Sequence, residues 1–275
     1  MNQRSGLEVE ASRFDVRSCD GTSLAVWVEG VGPPLVLVHG SFRDHTVFGP
    51  LVDELRRDVT TFSVDRRGFG ASSDAPGYAI EREFEDVAAV VDAVAARTPG
   101  PVGLWGHSFG ASCAIGGAAL SDNVAHLILY EPSLGIAYAA GSIEAVEGAI
   151  AAGDVDAAVV AILVGILEMT EDEIDALRAT PEWSALLAAG PTVARECKAE
   201  DGWVYGAGQF ETITATTLLL AGSDSPDGLG EATRQAAAAI PGARVHALEG
   251  HGHFAYRTDP AMVADIVLRS IGTRA

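Results

Sequence analysis

Residues Gly106-His107-Ser108-Phe109-Gly110 constrain this chain more than any other five positions. They lie between an apolar run at 102–105 and a stretch of small residues at 111–120. The first pattern suits a buried strand and the second a closely packed helix, so the pentapeptide must turn the chain sharply. Glycine on each side of the turn has a steric reason, because a side chain at either place would collide across it. The turn strains the backbone of the serine and lifts its hydroxyl clear of the sheet. The helix behind it points free N–H groups at the place where an oxyanion would form. Ser108 is therefore a candidate nucleophile. The same pattern fits an ordinary strand-to-helix turn, and the partners of the serine distinguish the two.

Around this turn the pattern alternates strand and helix, which predicts an α/β fold: a mostly parallel, eight-stranded sheet with helices on both faces. Strands are expected at 14–17, 24–29, 35–38, 60–64, 102–105, 124–130, 216–221 and 243–248. Helices are expected at 47–57, 80–97, 111–120, 229–239 and 260–271. The first turns of the 80–97 helix carry Glu81, Glu83, Glu85 and Asp86, which suit the positive end of its dipole. From 134 to 210 the strand signal stops. Short helices are expected there at 143–152, 155–167 and 171–179, and at 182–187 and 192–198 on either side of Gly190-Pro191. The simplest organisation is one core, 1–133 and 211–275, with 134–210 inserted as a helical cap. A chain of 275 residues suffices for one such domain.

A serine hydroxyl needs a base to take its proton and a third group to orient that base. Leu248-Glu249-Gly250-His251-Gly252-His253-Phe254 follows the last predicted strand and offers two histidines. Carboxylates are available at Glu131, which ends the apolar strand 124–130, and at Asp224 in Gly222-Ser223-Asp224-Ser225-Pro226. A charge at the carboxyl edge of a parallel sheet lies where sites form, although it also suits a solvated turn before Pro132.

These motifs together resemble the α/β-hydrolase superfamily, over nearly the whole chain. The resemblance rests on His39-Gly40-Ser41 after the third strand, Asp65-Arg66-Arg67-Gly68-Phe69-Gly70-Ala71-Ser72 after the fourth, Gly106-His107-Ser108-Phe109-Gly110 and Gly252-His253-Phe254. It implies Ser108 as nucleophile and His253, rather than His251, as base. It implies backbone N–H groups of Ser41 and Phe109 as the oxyanion hole, and a structural loop without chemistry at 65–72. The acid departs from the common pattern. The usual place, three residues past the glycine that ends the seventh strand, is Ser225, and Asp224 is one position early. A one-residue shift in extended chain re-aims a side chain. Some superfamily members, zearalenone-hydrolysing lactonases and certain haloalkane dehalogenases among them, place the acid after the preceding strand. Glu131 is the expected acid on that likeness, and Asp224 the alternative.

The expected activity is hydrolysis of a small, apolar carboxylic ester or lactone through an acyl-serine. Carbon–carbon bond hydrolysis, thioester hydrolysis and cofactor-free perhydrolysis would use the same residues. Haloalkane dehalogenase and epoxide hydrolase chemistry is disfavoured, since both use an aspartate where Ser108 stands. A hydrolase-fold small-molecule receptor is the alternative of another class, and slow hydrolysis with tight ligand retention would mark it.

Other features are weaker. His45 in Arg43-Asp44-His45 could face the pocket or be a loop histidine bonded to Asp44; His107 reads as packed beside the turn, and His126 and His246 as structural. Trp183, Trp203, Tyr205 and Tyr138 could line an apolar pocket or pack the cap. The three cysteines lack disulfide or metal spacing, and Cys113 reads as a core residue. No cofactor or metal motif is present. The formal net charge of −20 disfavours nucleic acid and anionic membranes as partners. Mean hydropathy is positive, yet no apolar run approaches the ~20 residues needed to span a bilayer. The polar first fourteen residues have no signal core, so a cytoplasmic location is expected.

Overall fold

The computed structural model describes residues 12–136, 138–165, 169–201 and 203–274. The N-terminal segment read for a signal core lies almost wholly outside them. Eight strands are found among the described residues. They are β1 (Ser12–Arg17), β2 (Ser23–Gly30), β3 (Pro34–Val38), β4 (Thr60–Val64), β5 (Val102–His107), β6 (Val124–Tyr130), β7 (Thr216–Gly222) and β8 (Arg244–Leu248). They form one sheet in the order β1-β2-β4-β3-β5-β6-β7-β8. The β1–β2 and β2–β4 pairs are antiparallel and every other pair is parallel.

Alternation along the strands sorts side chains onto two faces. Val36 and Val38 of β3, Leu104 of β5 and Leu127 and Leu129 of β6 enter one core. That face is covered by α2 (Ile80–Ala95), α3 (Phe109–Leu120) and α8 (Asp227–Ala239). Leu35, Leu37, Trp105, Ile128 and Tyr130 enter the other. It is covered by α1 (Gly49–Leu55), α9 (Ala255–Thr258) and α10 (Pro260–Ser270). Each such fully buried aliphatic side chain contributes roughly 1.5–3 kcal/mol. The small residues of α3 have a packing cause: a Cβ added at Gly116 would lie 1.9 Å from the Phe84 ring, and one at Gly117 2.4 Å from Val87. Larger residues would push α2 away.

Between β6 and β7 lie α4 (Ser142–Ala151), α5 (Val155–Gly165), α6 (Glu171–Arg178) and α7 (Glu182–Glu200). They share a separate apolar cluster that includes Val146, Val159, Ile162, Ile174, Leu186 and Val193. One expectation is corrected here. The break at Gly190-Pro191 does not occur, and α7 runs through Pro191. A proline inside a helix removes one N–H bond and costs ~3 kcal/mol. Leu186 before it and Val193, Ala194 and Cys197 after it are buried in the same cluster, which holds both halves on one axis. The end of the 155–167 helix falls partly on residues 166–168, outside the described residues. No described helix is long and apolar enough to cross a membrane.

Candidate active site

Ser108 adopts φ 55° and ψ −128° between β5 and α3. A Cβ at Gly106 would sit 2.6 Å from the Ala111 Cα, and one at Gly110 2.2 Å from the His39 carbonyl oxygen. Both glycines are thus required by close backbone approach. The Ser108 N–H donates to the Tyr130 carbonyl (2.9 Å), which ties the turn to the neighbouring strand. Among the described non-glycine residues, only Phe42, Ser108 and Glu131 have positive φ, at 59°, 55° and 46°. They follow β3, β5 and β6, adjacent strands that run parallel, so the strained positions gather at one carboxyl edge.

The fully buried Glu131 carboxylate meets His253 there, with Nδ1 to Oε2 at 2.5 Å. Its other oxygen accepts the Gly222 N–H (2.7 Å), and the Glu131 N–H donates to the Leu220 carbonyl (3.1 Å). Strand β7 thereby fixes both the backbone and the side chain of Glu131. With Nδ1 donating to a carboxylate, the Nε2 lone pair of a neutral His253 stays free. Asp224 is placed differently. It is exposed, its carboxylate accepts from Ser223 Oγ (3.0 Å), and its N–H donates to the His251 carbonyl (3.0 Å).

Two residues to which the sequence reading gave no role at the His253 loop hold it. The Tyr130 hydroxyl donates to the Gly252 carbonyl and accepts the Ala255 N–H (3.2 Å), clamping both sides of His253. His107 Nε2 donates to the His253 carbonyl (2.8 Å). Burial lowers the His107 pKa well below the usual imidazole value, so the ring is a neutral strut. A tyrosine ending an apolar strand and a histidine inside the elbow were the signals available.

The loop after β3 and the loop after β4 are joined by buried charge. Arg66 donates to the His39 carbonyl (2.8 Å), pairs with Glu83 (3.0 Å) and Glu196 (2.6 Å), and lies over the Phe69 and Phe109 rings. The stretch 65–72, read as chemically silent, thus braces the loop before Ser41 from beneath. Ser41 Oγ donates to Glu196 Oε2 (2.6 Å). Among the described residues, no acceptor pairs with the Ser41 or Phe109 backbone N–H. Burial pushes Glu83 up to about 7, and likewise Glu200, which accepts from Ser133 and Tyr138.

Ser41, Ser108, His253 and Glu200 line one cavity of about 600 Å³. Its other walls are largely apolar, with Phe42, Ile162, Leu163, Leu186, Val193 and Phe254, apart from Arg43 and Glu182, which pair at 3.9 Å. Of the four aromatics named from sequence, Tyr138 lines this cavity. Trp183 packs within the α4–α7 cluster, and Trp203 and Tyr205 pack against the α2–α3 core. Cys113 is a buried core residue, as expected. His45 is corrected: its ring bonds Asp65 (2.7 Å), not Asp44, and stacks on Trp27 at 4.2 Å. Asp44, His45 and Asp65 are close enough to suggest a metal site. The Asp65 oxygens, however, already accept from the Trp27 indole, the Ala71 N–H and His45.

Comparison with known proteins agrees with this fold. Residues 35–266 match the model of the alpha/beta hydrolase family. A pimeloyl-[acyl-carrier protein] methyl ester esterase of Xylella fastidiosa is 39% identical over 102 residues, 37% of each chain, so the match spans little more than a third of that relative. An (E)-2-((N-methylformamido)methylene)succinate hydrolase of Acinetobacter baylyi is 26% identical over 239 residues, 86% of this chain and 89% of that one. The crystal structure of an alpha/beta hydrolase from Sphaerobacter thermophilus superposes with a TM-score of 0.82 at 28% identity, covering 94% of this chain and all of that one.

Proposed function

The chain belongs to the alpha/beta hydrolase family, and we propose that within it this protein cleaves a small carboxylic ester or lactone through an acyl-serine. One observation carries the reading: the Glu131 carboxylate meets His253 Nδ1 at 2.5 Å, and His253 and Ser108 share one cavity. The helices of 134–210 serve as its cap. Ser108 attacks the carbonyl carbon while His253 Nε2 takes the hydroxyl proton. Glu131 fixes the tautomer and stabilises the imidazolium. The N–H groups of Ser41 and Phe109 receive the charge on the carbonyl oxygen. Collapse expels the alcohol, which takes its proton from His253. Water, deprotonated by the same nitrogen, then attacks the acyl-serine, and the acid leaves. The apolar walls favour an uncharged acyl group.

Intact-mass analysis after a fluorophosphonate probe tests the activated serine. A single adduct mapped to Ser108, and lost in Ser108→Ala, is expected. An unlabelled but folded protein would sink the hydrolase reading and favour a receptor. Arg43 in the cavity wall, paired only loosely with Glu182 beside it (3.9 Å), supports a second substrate class, carboxylate-bearing esters that would compete for it, in line with the succinate-derived substrate named for the Acinetobacter relative. Comparing apolar p-nitrophenyl esters with half-esters of dicarboxylic acids separates the two.

A further inference from the structure

Ser41 sits where no regular element holds it. β3 ends at Val38, the next helical turn begins at His45, and Phe42 beside it has φ 59°. The carbonyls before Ser41 are held from within the core: the His39 ring and Arg66 Nη2 (3.4 Å) both donate to the Gly40 carbonyl. The anchor of Ser41 itself comes from elsewhere. Its hydroxyl donates to Glu196 of α7, 155 residues away in sequence. Glu196 is fully buried, and its other oxygen is held by Arg66, so the carboxylate cannot swing. One turn later on α7, Glu200 accepts from Ser133, two residues past Glu131. The same helix therefore touches the loop of a proposed oxyanion donor and the loop of the proposed acid.

We propose that Glu196 is a positioning residue: through the Ser41 hydroxyl it sets the peptide of the oxyanion loop, so that the hole is complete only while α7 is seated on the core. This rests on the acyl-serine reading above. Oxyanion donors act only when held about 3 Å from the developing charge, and small misplacements are costly. A helix of the inserted segment thus supplies part of the preorganisation. Displacement of α7, to admit substrate or release product, would loosen the hole, and reseating it would restore the hole around bound substrate.

The test is a double-mutant cycle of Ser41→Ala and Glu196→Gln. It is read as kcat and KM on p-nitrophenyl acetate and as the rate of fluorophosphonate labelling. Ser41→Ala keeps the backbone N–H and the Arg66–Glu196 pair and removes one oxygen. It should lower kcat and the labelling rate roughly tenfold or more while KM stays within about twofold. Glu196→Gln should then cost several-fold less on the Ser41→Ala background than in the wild type, because its route through the Ser41 hydroxyl is already cut and only the one through Arg66 and the Gly40 carbonyl remains. Wild-type kcat in Ser41→Ala, or losses that multiply in the double variant, would overturn the proposal. If Glu196→Gln does not fold, Ser41→Ala alone decides. A wild-type protein inert to the fluorophosphonate sinks the acyl-serine reading and this inference with it. Labelled wild type with unchanged Ser41→Ala sinks the inference alone.

Discussion

Glu131 holds a backbone conformation that costs a non-glycine residue on the order of 1–3 kcal/mol, and it does so fully buried, with each carboxylate oxygen committed. Such strain persists where the surroundings over-determine it. Here the Gly222 N–H, the Leu220 carbonyl and His253 do so. If Glu131 orients His253, Glu131→Gln should keep the fold and lose roughly 10³–10⁴ in kcat, because an amide can present its NH2 to Nδ1 and select the wrong tautomer. Asp224→Asn should stay within about twofold, since that side chain is exposed and turned to Ser223. Steady-state kinetics of both variants checks this, and the reverse ranking would transfer the role to Asp224. Ser108 and His253 were legible because local sequence carries them: a glycine-flanked turn and a glycine-histidine-aromatic loop. Glu131 was legible because a charge at the end of an apolar strand is out of pattern. Tyr130, His107 and Glu196 were not, since their partners lie 122, 146 and 155 residues away and nothing local marks the pairing.

At the scale of elements, strands and helices were readable wherever a buried face imposed a period, as in β3, β6 and α2. The reading failed where tertiary packing overrode a local breaker, as at Pro191 in α7. Glycines show the same division between local and tertiary causes. Gly110 lies in the first turn of α3 with the His39 carbonyl oxygen 2.2 Å from where its Cβ would be, so Gly110→Ala must push two backbones apart. It should cost about 2 kcal/mol or more in unfolding free energy, near the upper range for overpacking. Gly148 lies in α4, exposed and with open space where its Cβ would stand. Gly148→Ala should stabilise by about 0.5–1 kcal/mol through helix propensity and a less flexible unfolded chain. Urea titration of both reads the contrast. Equal effects would mean that contact geometry is not what separates them.

The whole molecule buries titratable groups whose pKa values move in opposite directions, and its stability should record both. Burial raises Glu83 and Glu200 to about 7 from the usual 4.5. Such a carboxyl binds more protons folded than unfolded. Its contribution is complete below pH 4.5 and is lost as pH rises through about 7. Burial, with the Arg66 charge, lowers His39 to about 3 from 6.5, and burial also holds His107 well below that value. These imidazoles stay neutral in the fold while the unfolded chain takes up protons, so their contribution is complete above pH 6.5 and is lost on acidification. Each group changes the unfolding free energy by about 1.4 kcal/mol per pH unit inside its window. Between about pH 6.5 and 4.5, two carboxyls and two imidazoles oppose each other, and stability should vary by less than about 1 kcal/mol. Below that window the imidazoles remain, together with buried Asp65, whose carboxyl is held well below the usual range, despite its burial, by hydrogen bonds from His45, Ala71 and Trp27. The exposed Asp20 joins them, because hydrogen bonds from Thr22 and Arg67 outweigh a small desolvation and bring it to about 2. Stability should then fall steeply. Urea unfolding at moderate salt, which screens the repulsion within a chain of net charge −20, isolates these buried groups. Glu83→Gln or Glu200→Gln should remove part of the opposing term and let the decline begin near pH 6.5. A wild-type protein that already declines steadily from pH 6.5 to 5 would show that both carboxyls are ionised in the fold. The buried cluster beside the loop after β3 would then hold the Glu83 and Glu200 carboxylates near the single guanidinium of Arg66.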